Sequence, residues 1–168
     1  MFDWVDWFRT HLRASADGFV WAFSRIDARD HFRIPPNQQA LGEWSPARHV
    51  WHVTEYERWI ALPSMQQWID GQVPRPEAWK NDDVAWSAVK TISSDQLIAE
   101  FRKVRNQQIG LLDQLVAVDW EEPLETLWGP KPLSMIVTKT YQHTFEHGNT
   151  LLRMGLWWAD LERKQAGL

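Results

Sequence analysis

"YQHTFEHGNTLLRMG", residues 141–155, places His143 and His147 four positions apart in a stretch that otherwise reads as a helix interior. Histidine is an average helix former, and its polar ring is costly to bury without partners. At about 100° per residue, Ile136, Thr140, Thr150 and Met154 share the direction of the two rings, with Glu146 to one side and Lys139 to the other. Both imidazoles therefore point to the packed side of the helix, about 6 Å apart along its axis. Two such rings can grip one metal ion, as in the helical metalloprotease pair, but the acid of that motif is missing, because Thr144 follows His143. A metal reading needs a further ligand on another helix.

The rest of the chain supplies candidates. "SPARHVWHVTEYERWIALPSMQQWIDG", residues 45–71, opens with Ser45 as an N-cap and Pro46 at the first helical position. Pro63 is expected to kink this helix and Gly71 to end it. Ser45, His49, Tyr56, Trp59 and Pro63 lie near the direction of His52, so His49 and His52 both sit on an inward, aromatic face. Facing helices in a bundle core approach to about 8–10 Å, within reach of a shared ion. His11 and His31 read as surface residues, the latter near a helix end where a cation is mildly favoured.

Residues 2 to about 30 form a first helix, with Phe2, Val5, Phe8, Leu12, Phe19, Phe23 and Ile26 at helical spacing. "RIPPNQQALGEWS" ends it. Residues 72–92 are a long connection with a short helical turn near its centre, and residues 93–118 a third helix striped by Leu97, Phe101, Val104, Ile109, Leu112 and Leu115. Arg102, Lys103 and Arg105 on that helix read as a solvated basic face. "DWEEPLETLWGPKP" is a turn-rich link, and a fourth helix runs from about Leu133 into the 150s or to 163. No alternating strand pattern is visible. The fold expected is a single all-α domain over residues 1–168, a four-helix bundle whose long connection between helices 2 and 3 allows a crossover.

Composition narrows the functional classes. The chain has 168 residues, 44% hydrophobic and 24% charged, with a net charge of −4. That balance argues against nucleic acid as a partner. No apolar run approaches a membrane span, and "MFDWVDWFRTHLR" lacks the basic start of a secretory signal, so the expected location is the cytoplasm. Cysteine is absent, which excludes disulfides, thiolate ligands and cysteine nucleophiles and leaves histidine as the soft-metal ligand. The 13 tryptophans exceed the need of one core. Trp4, Trp7 and Trp21 make the first helix aromatic over more than one seam, which suggests a homodimer through that helix.

"GEWSPARHVWHVTEYERW" followed by "HTFEHGNTLLRMG" resembles the DinB/YfiT-like superfamily of metal-dependent enzymes. Members start their second helix with Trp-Ser or Trp-Thr and carry a metal-binding histidine eight residues after the tryptophan; from Trp44 that position is His52. A His-x-x-x-His pair in the last helix matches His143 and His147, with Gly148, Asn149 and Gly155 after it. "FRKVRNQQIGLLDQL" and the "LWG" of the link also fit. The resemblance implies a bundle of up-down-down-up topology, often a homodimer, with His52, His143 and His147 around one divalent ion. His49 then takes a pocket or supporting place, not a ligand's.

Three nitrogen ligands leave a coordination position open, the mark of a catalytic site. They do not name the metal, because Zn, Ni, Fe, Co and Mn all accept imidazole. Such an ion can activate water for hydrolysis or bind a thiol as thiolate. The family points to the second, since several relatives are bacterial S-transferases or isomerases that use a low-molecular-weight thiol and a small-molecule substrate. The other reading is a non-enzymatic, stress-related metal-binding bundle that acts through a protein partner. Glu55 is a candidate general base or imidazole-orienting acid, and Tyr56 a hydrogen-bond donor to a bound ligand. Trp59, His49 and Met154 are expected to line the pocket. Only neutral imidazole binds metal, so binding is expected to weaken as pH falls through about 6.5.

Overall fold

The computed structural model describes residues 2–74, 83–89 and 91–167. Helix α1 spans Trp4–Ser24, α2 Gln38–Leu41, α3 Pro46–Tyr56, α4 Leu62–Asp70, α5 Asp83–Val89, α6 Ser94–Leu111 and α7 Leu133–Gln165. A short hairpin of β1 (Leu124–Thr126) and β2 (Gly129–Lys131) precedes α7. The bundle is built from α1, the α3–α4 rod, α6 and α7. No helix among the described residues is long and apolar enough to cross a membrane.

Contacts between named side chains set the helix directions. Along α1 and α7, His11 meets Tyr141, Phe19 approaches Gly148 and Arg25 approaches Gly155, so the two run parallel. Glycine makes that approach possible: a Cβ on Gly155 would stand 3.0 Å from the Cβ of Arg25. His49 meets His147 and His52 meets His143, so α3 and α7 are antiparallel. Arg102 reaches Asp17 while Arg9 reaches Asp113, so α1 and α6 are antiparallel. Ala47, Val50 and Val53 share one core cluster with Leu97 and Phe101, and Met65 shares the other with Ile109 and Leu112, so the rod and α6 descend together. The order is up-down-down-up, which requires a long return between the second and third members. Part of that return, residues 75–82, lies outside the described residues, and with it Trp79. Within it, α5 is the expected helical turn, docked through Trp86, whose ring lies 5.6 Å from Trp51.

Helix ends follow local chemistry. Ser93 caps α6 in a full capping box with Gln96, and Gly71, at φ 73°, terminates α4 in the left-handed region. Other boundaries differ from the sequence expectation. Helix α1 stops at Ser24 rather than near residue 30, because Asp27 takes the Arg29 N–H and starts a 3-10 turn over Ala28–Asp30. At Pro63 the second helix is interrupted in its hydrogen bonding rather than ended. It widens into a π-helical turn at Glu57–Ala61, and Pro63 sits at the second position of α4. Proline cannot donate a backbone hydrogen bond and crowds the carbonyl four residues earlier; a widened turn just ahead of it lets the rod continue. The hairpin was not legible as strands because three residues per strand are too few to show alternation. Its turn is held by Thr126 Oγ1, which donates to the Gly129 carbonyl at 2.7 Å and accepts from Trp128 N at 3.1 Å.

Two polar residues read as surface are buried. Nε2–H of His31 donates to the Ile26 carbonyl at 3.1 Å, and its Nδ1 accepts from Ser94 Oγ at 2.8 Å, so the ring bridges the loop after α1 to the start of α6. Burial lowers its pKa. Arg105 is 1% exposed and pairs with the fully buried Glu57. The aromatic excess divides. Trp51, Trp86, Trp120 and Trp158 are core, and Trp4 stacks on Phe8 and Trp120, whereas Trp7 and Trp21 stand 37% and 58% exposed.

Candidate metal centre

The first turn of α3 is pinned from two sides. Ser45 Oγ accepts from Arg48 N at 3.3 Å, and Ala47 N donates to the His31 carbonyl at 2.8 Å. This fixes the face that carries His49 and His52. Helix α7 presents His143 and His147 on the opposing face. Because the helices are antiparallel, the pairs meet crosswise: His52 Nε2 lies 3.0 Å from His143 Nε2, and His49 Nδ1 lies 2.7 Å from His147 Nδ1. Ring centroids of His52, His143 and His147 are 4.7–5.0 Å apart. One nitrogen from each of these three rings lies within 4.8 Å of the others, the one such group of histidines and acids among the described residues.

The arrangement fits a divalent ion. Nitrogens bound at about 2.0–2.1 Å to one ion lie roughly 3.0–3.4 Å apart at right-angled or tetrahedral geometry, and the His52–His143 separation is 3.0 Å. His52 is buried, while His143 and His147 are only partly so, which leaves one side of the cluster reachable. His49, His143 and His147 are held neutral. Burial, then the charges of His147, His52 and Lys139, lowers His143 to about 3. Burial and His52 lower His147 to about 4. Burial, then His147, His52 and Arg48, lowers His49 to about 3. Neutral imidazole is the form that binds metal.

The neighbouring residues sort differently from expectation. The Tyr56 ring lies against His143 at a tilt of 44°, with centroids 4.2 Å apart, and burial and the Glu57 carboxylate push its phenol up, so it stays protonated at neutral pH. The Glu55 carboxylate has other partners: it pairs with Arg58, and its Oε2 accepts from Trp59 Nε1 at 2.9 Å. Trp59 is 38% exposed, beyond the widened turn's start, and its indole N–H is spent on Glu55. Met154 is fully buried in the apolar cluster with Phe19, Phe23 and Leu151.

The indole at the cluster is Trp44. Its ring lies 4.9 Å from His52, 5.4 Å from His49 and 6.0 Å, nearly parallel, from His147. The Arg48 guanidinium covers Trp44 at 4.6 Å and pairs with Asp83 of α5 at 2.6 Å. Trp44 marks the start of the helix in sequence, but its contact with His147 depends on the approach of α7. A separate cleft of about 940 Å³, lined by Trp4, Trp120, Arg9 and several acids, contains none of the histidines.

Comparison with known proteins agrees with the geometry. In solved structures, this chain is similar to a mycothiol-dependent maleylpyruvate isomerase at 16% identity and a TM-score of 0.67, covering 90% of this chain and 63% of that one. A histidine-to-alanine mutant of such an isomerase matches at 17% identity and a TM-score of 0.66, with the same coverage. At these identities the likeness is one of fold, and this chain spans less than two thirds of their length. No curated protein matches. The family model of the DinB superfamily matches residues 11–151, the span that holds the bundle's histidine cluster, and the chain belongs to the DinB superfamily.

Proposed function

We propose that this protein is a metal-dependent enzyme that activates a low-molecular-weight thiol for transfer to, or isomerisation of, a small-molecule substrate, with His52, His143 and His147 as the metal ligands. The observation that carries this reading is the convergence of three imidazoles from two helices, with ligand nitrogens within 4.8 Å of one another and the two α7 rings partly exposed. A bound ion would supply a Lewis-acidic centre that holds a thiol as thiolate near neutral pH. His52, His143 and His147 would hold that ion through neutral nitrogens, adding no charge of their own. Tyr56 is the proposed donor to an anionic ligand beside His143, since its phenol keeps its proton. Trp44 walls the cluster and limits water on that side. Glu55, spent on Arg58 and Trp59, is left out of the chemistry.

A thiol is preferred to water because the structures of like fold are mycothiol-dependent enzymes. The test is metal analysis of protein from its native host, then a screen with cellular thiols and electrophilic substrates. Stoichiometric metal with thiol-dependent turnover supports the reading. Metal without turnover on any thiol favours hydrolysis or a bundle acting through a partner. Protein that binds no divalent ion overturns it.

A further inference from the structure

We infer that His49 is a positioning residue that sets the tautomer and ring orientation of His147 by accepting a hydrogen bond from its Nδ1–H. This rests on the reading of His147 as a metal ligand. The two Nδ1 atoms are 2.7 Å apart, shorter than neighbouring nitrogens on one ion would lie and typical of a hydrogen bond. Such a contact between neutral rings needs one N–H and one lone pair. If His49 were the donor, the proton of His147 would sit on Nε2, and the ring would have no nitrogen left for a metal. If His147 donates, its Nε2 lone pair is free to bind. Metal binding therefore selects one arrangement: His147 protonated on Nδ1, His49 unprotonated on Nδ1 and carrying its own proton on Nε2.

That arrangement has a visible consequence. His49 is 6% exposed, and its Nε2 is buried with no hydrogen-bond partner among the described residues. A buried N–H without an acceptor is unfavourable, so an apolar side chain would pack there more cheaply. Its Nδ1 contact gives the imidazole a purpose that packing does not. Metal-bound histidines generally donate their second N–H to an acceptor, which orients the ring and raises its basicity. The acceptor here is another imidazole, one turn ahead of His52 on the same helix face. One α3 face thus supplies a ligand and the support of a second ligand from α7.

The experiment compares Co²⁺ and Zn²⁺ affinity of the full chain with those of H49N and H49L. Asparagine Oδ1 reaches the place of imidazole Nδ1 and accepts; leucine fills the space and cannot. H49N should keep wild-type affinity, and H49L should lose about 10–100-fold, as for loss of an outer hydrogen-bond partner of a metal ligand. In the Zn²⁺-loaded wild type, ring-nitrogen NMR should show His147 protonated on Nδ1. Wild-type affinity in H49L overturns the inference while leaving the metal reading intact, and a His147 ring protonated on Nε2 and still bonded to His49 overturns the inference and removes His147 from the ligands. A wild-type protein that binds neither ion overturns both.

Discussion

Arg105 and Glu57 form a bidentate ion pair with both side chains sealed from solvent, at 1% and 0% exposure. The guanidinium also donates to the Leu12 carbonyl and Ser15 Oγ, each at 2.8 Å, and to Thr144 Oγ1 at 2.6 Å. Glu57 opens the π-helical turn after α3. One buried charge pair thus ties α1, the rod, α6 and α7 together, beside His143 through Thr144. Removing one partner strands the other charge in the core. Arg105→Met should cost about 3–5 kcal/mol, and a double variant with Glu57→Leu should recover much of it. Urea denaturation of the metal-free Arg105→Met, Glu57→Leu and double variants decides this; a double-variant loss equal to the sum of the two single losses would mean that the pair is not coupled.

Each metal ligand should matter more than the group that supports it. His52→Ala, His143→Ala and His147→Ala should each lower Zn²⁺ affinity by more than the roughly 10–100-fold typical of an outer partner. Competition titration with a coloured chelator gives the constants. A ligand variant with wild-type affinity would remove that residue from the site.

Acid should act on this site later than on exposed histidines. His143 and His147 lie near 3 and 4, below the ordinary value of 6.5. At these two rings protons then compete with metal in the folded protein only near and below about pH 4, not through the 6.5 expected for open imidazoles. Zn²⁺ affinity at pH 5.5 should stay close to that at pH 7.5, as isothermal titration can show.

The same depression has a stability consequence of definite sign. The unfolded chain takes up protons on these rings below about pH 6.5, and the folded chain does not. The metal-free fold therefore keeps this contribution above about 6.5 and loses it progressively as pH falls toward 4 and 3. The denaturation midpoint of metal-free protein should drop between pH 7 and 5, and His143→Leu should flatten that slope.

The α1–α7 seam separates two glycines. A Cβ on Gly148 would meet Phe19 at 3.6 Å, an ordinary contact, so Gly148→Ala should stabilise the helix by up to about 1 kcal/mol. On Gly155 it would meet Arg25 at 3.0 Å, so Gly155→Ala should lose that gain to crowding. Denaturant midpoints of the two variants should diverge.

A homodimer through α1 is the assembly we propose, with Trp7 and Trp21 as its anchors now that Trp4 is accounted for by Phe8 and Trp120. Light scattering should give twice the chain mass of 19.8 kDa. Trp21→Asp should return it to the monomer without loss of helicity. A monomeric wild type would refute the assembly.

The sequence by itself determined four long helices, the Ser45 start and Gly71 stop of the second, and the inward direction of four histidines, because helical periodicity and capping are local. His143 and His147 share a face through a spacing of four, which any reader of the chain can count. It did not determine which ring meets which. The axial offset between α3 and α7 pairs His52 with His143 and His49 with His147, and that offset comes from packing across the whole bundle. For the same reason Arg105, which reads as one of three basic residues on a solvated face, turns out to be the buried partner of Glu57: Glu57 lies at helical spacing from the buried Val50, Val53 and Thr54, but only the packing of α6 against α3 brings Arg105 to it. Trp44 likewise becomes a wall of the histidine cluster only when α7 is brought against α3.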